Sequence, residues 1–194
     1  TLEGSYRWWF WMDAGSGTTI SSPGLSLLSR YPRGAFPYVE PEPIVTPTPF
    51  APGIVGQAFS LDGIDDFVSV PDDPIWTLGD NPFTIDLWVN FNTVPDRAPF
   101  VSHTEGGGNH NKWIFWFDRF GHNTPSGPAL RFHITSPSLP SIDTVFAPWD
   151  PEIGRWYHVA VTRTGDAYAL YIDGAQVAAG IDTNTIPDPD TPLS

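Results

Sequence analysis

The chain has 194 residues, a net charge of −13 and no cysteine. Its excess of carboxylates excludes the phosphate-tracking surface of a nucleic-acid binder and does not suit an anionic membrane. The missing thiols exclude disulfides and thiolate metal centres. Gly and Pro number 18 and 22, which argues against long helices, and no run approaches the ~20 apolar residues of a membrane span.

The sequence starts at Thr1 without a charged-then-apolar leader. It reads as a processed or excised piece, and its expected location is extracellular or at a cell surface. Tyr6 to Met12 (YRWWFWM) is a dense aromatic run, read as a strand buried on one face or as a segment that docks onto another surface. Residues 13–34 carry turn and loop signals. Pro37, Pro41, Pro43, Pro47, Pro49 and Pro52 then favour an extended strap that cannot lie in a central strand. Residues 1–52 therefore read as an aromatic strand plus a Pro-rich strap, and 53–194 as a β-domain.

From Gly53 the strand signals tighten. Gln57 to Leu61 and Phe67 to Val70 read as short strands flanking Asp62-Gly63 and Asp65-Asp66, and Pro74 to Leu78 as one helical or 3₁₀ turn. Phe83 to Phe91 (FTIDLWVNF) alternates cleanly. Phe83, Ile85, Leu87, Val89 and Phe91 share one face, and Thr84, Asp86, Trp88 and Asn90 the other. Phe100 to Ser102, Lys112 to Phe117, Ala129 to Ile134 and Ile142 to Phe146 are further strands, with a loop over His103 to Asn111. Trp156 to Thr162, Tyr168 to Ile172 and Ala175 to Ala179 form a meander closed by Thr164-Gly165-Asp166 and Asp173-Gly174. About ten strands at this spacing predict an all-β sandwich or barrel.

Two stretches resemble the laminin-G-like, concanavalin A-like domains of bacterial extracellular proteins. One is PGIVGQAFSLDGIDDFVSVPDD followed by NPFTIDLWVNF. The other is RWYHVAVTRTGDAYALYIDGAQVA. Strand order and spacing match over roughly residues 50–194. The resemblance implies a jelly-roll sandwich of two curved antiparallel sheets. It also implies closing strands after a segment like Pro187 to Leu193, whereas this sequence stops at Ser194. The run Tyr6 to Met12, from the same chain or a neighbouring one, is the candidate to fill that gap. Residues 5–12 are on this reading a route to a homo-oligomer or filament.

Three sets of residues are candidates for chemistry. Asp86, Trp88 and Asn90 on one strand, with Trp116, Arg131 and His133 (and Asp118) on two others, mix indole plates with polar groups. Sugar binding needs that mixture, because the CH-rich face of a sugar stacks on an aromatic ring while its hydroxyls take directed hydrogen bonds. The bland alternative is that Trp88 and Trp116 are core residues. Asp62, Asp65 and Asp66 are candidate calcium ligands, set against the alternative of turn chemistry. His103, Glu105, His110 and His122 have the right side chains for a transition metal but no recognisable spacing. His158 reads as a half-buried structural histidine. Glycosidases of the related fold carry acids at alternate positions of one strand, and the five glutamates here form no such run. The expected function is a non-catalytic module binding a glycan or glycosylated surface. A structural subunit built by β-strand addition and, less favoured, a glycoside hydrolase are the alternatives.

Overall fold

Alternation over Phe83 to Phe91 sets the frame of the fold, because each side of that strand meets a different environment. The computed structural model describes residues 6–9, 49–121 and 127–194, with the backbone alone for 6–9, 140 and 141. The strands are β1 (Tyr6–Trp9), β2 (Phe50–Pro52), β3 (Gln57–Leu61), β4 (Phe83–Phe91), β5 (Arg97–Thr104), β6 (Lys112–Asp118), β7 (Ala129–Ser136), β8 (Leu139–Pro148), β9 (Trp156–Thr164), β10 (Ala167–Ile172) and β11 (Ala175–Ile181). A 3₁₀ turn at Pro74–Trp76 is capped by the Asp73 carboxylate, which accepts from the Ile75 N–H. Among the described residues no helix is long and apolar enough to cross a membrane.

All pairings are antiparallel and fall into two sheets, ordered β11-β10-β9-β4-β1-β3-β2 and β5-β6-β7-β8. Leu87, Val89 and Phe91 of β4, Val159 and Val161 of β9 and Leu170 of β10 turn inward from the first sheet. Phe115 and Phe117 of β6 and Leu130, Phe132 and Ile134 of β7 turn inward from the second. Phe132 links the layers. Its ring centroid lies 5.6 Å from Phe83 and 5.9 Å from Tyr168, both on the opposite sheet. Interlocked rings of this kind make the core intolerant of truncation, at about 3–5 kcal/mol for a Phe→Ala change.

Turn chemistry closes the meander as its sequence dictates. Asp173 and Gly174 both take positive φ, 52° and 78°, the conformation a two-residue hairpin needs. Gly180 answers a different demand. A Cβ there would lie 2.7 Å from the Thr144 carbonyl oxygen, so only glycine lets β11 approach β8 this closely.

Two expectations are revised. Phe67 to Val70 is not a strand. Val70 alone forms an isolated bridge, to Leu193, because the preceding loop is folded on its own carboxylates and carries the chain away from the sheet. His103 belongs to β5 and not to the following loop. Of the two sources expected for the N-terminal strand, its own chain is the one seen: Tyr6–Trp9 pairs with β4, and Tyr6, Arg7 and Trp8 pair with β3 as well. The rest of that aromatic run and most of the Pro-rich strap lie outside the described residues. Pro52, at the end of that strap, sits in the edge strand β2, where its missing N–H costs no ladder bond. By its contacts the chain divides into two units, one of residues 1–10 with 49–194 and one of 11–48.

Candidate functional site

The register of β4, β9 and β10 builds the outward face of the larger sheet row by row. Trp88 stands opposite His158, Asp86 opposite Ala160, and Thr84 opposite Thr162. On the far side of β9, Ala160 stands opposite Tyr171 and Thr162 opposite Ala169. The result is an aromatic rim at Trp88 and His158, a floor of small side chains at Ala160 and Ala169, and a second ring at Tyr171. The Trp88 and His158 centroids are 5.2 Å apart. Half of the Asp86 side chain and 30% of that of His158 are exposed, and their Oδ2 and Nε2 atoms are 4.0 Å apart. Asn90 shares this face but is buried.

Below this row the β10–β11 turn is fixed by charge. The Asp173 carboxylate accepts from the His158 N–H at 3.0 Å and from the Arg155 guanidinium at 2.8 Å. Arg155 also pairs with Glu152 at 3.6 Å and lies over the Tyr157 ring. This cation is therefore committed to the scaffold.

Trp116, Arg131 and His133 do share a face with one another, but it is the outward face of the smaller sheet. The structure thus splits the six candidates between the two outer sides of the sandwich. The two sides differ in kind. Both faces of β7 are buried throughout its length, and Arg131 is fully enclosed. Its guanidinium donates to the Asp143 carboxylate, donates to the Gly127 carbonyl at 3.3 Å, and lies 3.9 Å from Asp118. His133 reaches the other Asp143 oxygen through Nδ1 at 3.2 Å and the Thr135 hydroxyl through Nε2 at 3.2 Å. Burial alone would raise the Asp143 pKa. The His133 hydrogen bond and the Arg131 charge outweigh it and hold the carboxyl below its usual 3.8. Lys112, the single lysine, is buried too, donates to the Gly106 carbonyl at 2.6 Å, and has its pKa lowered by desolvation. Enclosed charges set against opposite charges in this way have the character of a structural tie.

The remaining candidates separate clearly. Among the described residues, Asp62, Asp65 and Asp66 are the one set of possible metal ligands that comes together, with ligand atoms within 4.8 Å of one another. Two of these carboxylates also close the loop. Asp62 accepts from Ile64 at 2.8 Å and from Asp65 at 3.4 Å, and Asp66 accepts from the Asp62 N–H at 3.0 Å. The Ile64 bond is the main reason that Asp62 titrates below its usual value. His103 is buried with Nε2 2.7 Å from the Thr191 carbonyl, and Glu105 accepts from the Asn111 amide. His103, Glu105 and His110 therefore do not converge, and His122 lies outside the described residues. A cavity of about 310 Å³ opens beside the acidic loop. Its walls are mainly apolar, with Phe59, Leu61, Phe67, Pro99 and Phe100, and carry polar groups from Asp66, Arg97 and Ser102.

Reading the residues alone missed Tyr171 and the partnership of His158 with Trp88. The alternation Tyr168, Leu170 against Ala169, Tyr171 did place Tyr171 on an outward face. Nothing local, however, says that β9 lies between β4 and β10. Asp143, the centre of the buried network, lies in the expected strand Ile142 to Phe146 but was not among the candidates.

Two antiparallel sheets packed face to face, the larger with long-range strand order, define an all-β jelly-roll sandwich. The model of the laminin G-type concanavalin A-like lectin/glucanases superfamily matches residues 62–194, and the chain belongs to that family. Among solved structures it is similar to domain 4 of AbnA, an extracellular GH43 arabinanase of Geobacillus stearothermophilus, solved with arabinotriose. The identity is 17% and the TM-score 0.48, over 74% of this chain and 63% of that one. This chain thus spans less than two thirds of that structure. No match was found among curated proteins.

Proposed function

We propose that this domain is a non-catalytic, extracellular glycan-binding module whose ligand lies on the outward face of β4, β9 and β10. The observation that carries the reading is the Trp88–His158 pair beside the half-exposed Asp86 carboxylate. Trp88 supplies a plate for the apolar face of a sugar. Asp86 accepts from hydroxyls, and His158, Thr84 and Thr162 add shorter-range polar contacts. The membership of the family in lectins and glucanases agrees with this reading but does not choose between them, because one fold hosts many functions. The weak likeness to the arabinanase domain carries none of the argument.

A panel of neutral polysaccharides, measured by isothermal titration calorimetry and affinity electrophoresis, tests the reading. Wild type is expected to bind at least one of them, and Trp88→Ala to lose that binding while keeping its melting temperature within a few degrees. Hydrolysis of any member of the panel, abolished by Asp86→Asn, would replace the binding module with an enzyme.

Calcium is a further part of this proposal. Asp65 and the unused oxygens of Asp62 and Asp66 fit part of the six to eight oxygens the ion requires, with carbonyls and water left to supply the remainder. Bound there, it would tighten the loop beside β3. A rise in melting temperature with added calcium, absent in Asp65→Asn, is the expected sign. Assembly through residues 5–12 is the lesser reading, since β1 would first have to leave β3 and β4. Light scattering after size exclusion decides it, and a strict monomer would remove it.

A further inference from the structure

The shape of the proposed face says which part of a glycan it takes. Pockets that recognise chain ends need a wall to stop the chain. Here Trp88 and Tyr171 stand at opposite corners of a floor made by Ala160, with β9 between them. Strand separation and residue rise put the Cα positions of these two residues about 12 Å apart across the sheet. That span exceeds one sugar ring, so a single sugar cannot stack on both.

Among the described residues of these strands no large side chain crosses the diagonal. The row Asp86–Ala160–Tyr171–Gln176 contains one small residue and three polar-tipped ones, and the next row, Thr84–Thr162–Ala169–Ala179, is smaller still. The Tyr171 hydroxyl leans on Gln176 at 3.5 Å, which holds the ring at the edge of the floor. The cavity beside the acidic loop lies elsewhere, against β3 and β5.

Charge narrows the ligand further. Asp86 faces the floor, and the nearby Arg155 is tied to Asp173 and Glu152. Among the described side chains of β4, β9 and β10, the outward face carries no Lys or Arg, on a chain whose net charge is −13. A uronic or sulfated chain would meet repulsion without compensation.

We infer that the β4-β9-β10 face binds the interior of an extended, uncharged polysaccharide, laid obliquely across the strands from Trp88 to Tyr171. This rests on the glycan reading above and adds to it a minimum chain length, a second aromatic contact and a charge preference. Asp86 and His158 hold the sugar over the first ring, and Tyr171 holds another further along the same chain.

Chain-length series test it with the domain as it stands. The probes are xylose, arabinose and glucose, the linear tri- and hexasaccharides of each, and polygalacturonate. Calorimetry is read alongside tryptophan fluorescence. In the series that binds, affinity is expected to rise from mono- to tri- or hexasaccharide. Tyr171→Ala is expected to remove about 2- to 10-fold of the hexasaccharide affinity. Tyr171→Phe keeps the ring and is expected to restore most of it. Trp88→Ala is expected to remove binding at every length, and polygalacturonate to stay unbound at low salt. Equal affinity for mono- and hexasaccharide, or indifference to Tyr171→Ala, would overturn this inference and leave the glycan reading standing. Preferred binding of polygalacturonate would overturn the charge preference. Silence from every neutral series would overturn both the inference and the reading beneath it.

Discussion

The two outward faces of the sandwich come from the same strand chemistry and end in opposite states. On β4 the outward residues Thr84, Asp86 and Trp88 reach solvent, with half of Asp86 exposed. On β6 and β7 the outward residues Trp116, Asp118, Arg131 and His133 are buried. Exposure makes the first set cheap to keep and available to a ligand. Enclosure makes the second set expensive unless each charge is paired, and Arg131, Asp143 and His133 are paired accordingly. A mixture of aromatic and polar residues on a strand is therefore not by itself a binding face, since the same mixture can be a tie inside the protein.

The comparison breaks most completely at Arg131. Arg131→Ala leaves Asp143 and Asp118 enclosed without their guanidinium, and is expected to cost about 3–5 kcal/mol. Asp86→Ala on the open face is expected to stay within about 0.5 kcal/mol. Chemical unfolding of both variants measures the contrast. Equal costs would mean that the faces are not different in kind.

Titration sharpens the same contrast. The folded pKa of Asp143 lies below 3.8, so its contribution to stability is complete above that value. It is lost as pH falls through the lower, folded pKa. Melting temperatures between pH 2 and 6 are expected to drop below about pH 4, and Asp143→Asn to flatten that limb while lowering stability at neutral pH. Tyr168 gives the alkaline counterpart. Burial raises its phenol to about 12, so the stability it contributes is present below its ordinary value of 10.0 and lost as pH climbs toward 12. Tyr168→Phe is expected to flatten that limb.

Much of the fold was legible because it is written locally. The period-two pattern of β4, the Asp173-Gly174 turn and the meander from Trp156 onward each follow from residues within one another's reach. The candidate site was legible only in part. Asp86 and Trp88 share a face by alternation alone, and so do Arg131 and His133. That β4 and β7 lie in different sheets depends on pairings between residues far apart in the chain, such as Trp88 with His158 and Trp116 with Arg131. No local pattern carries that information. Burial of the outward side of β7 is hidden for a related reason. ALRFHITS alternates like a strand with one wet face, and nothing within it declares that both faces are covered.

The two tryptophans of the original candidate set isolate the smallest effect. Trp116 is 6% exposed on the closed face, whereas Trp88 is only partly buried on the open one. Truncating Trp116 removes a ring packed on all sides, at about 3–5 kcal/mol, while truncating Trp88 removes one packed mainly on His158. Trp88→Ala should therefore cost clearly less than Trp116→Ala, about 0.5–1.5 kcal/mol for the aromatic pair plus the part of the ring that is buried. Urea unfolding of the two variants reads the difference directly. A Trp88→Ala cost as large as that of Trp116→Ala would place Trp88 among the packing residues and take away the plate on which the glycan reading depends.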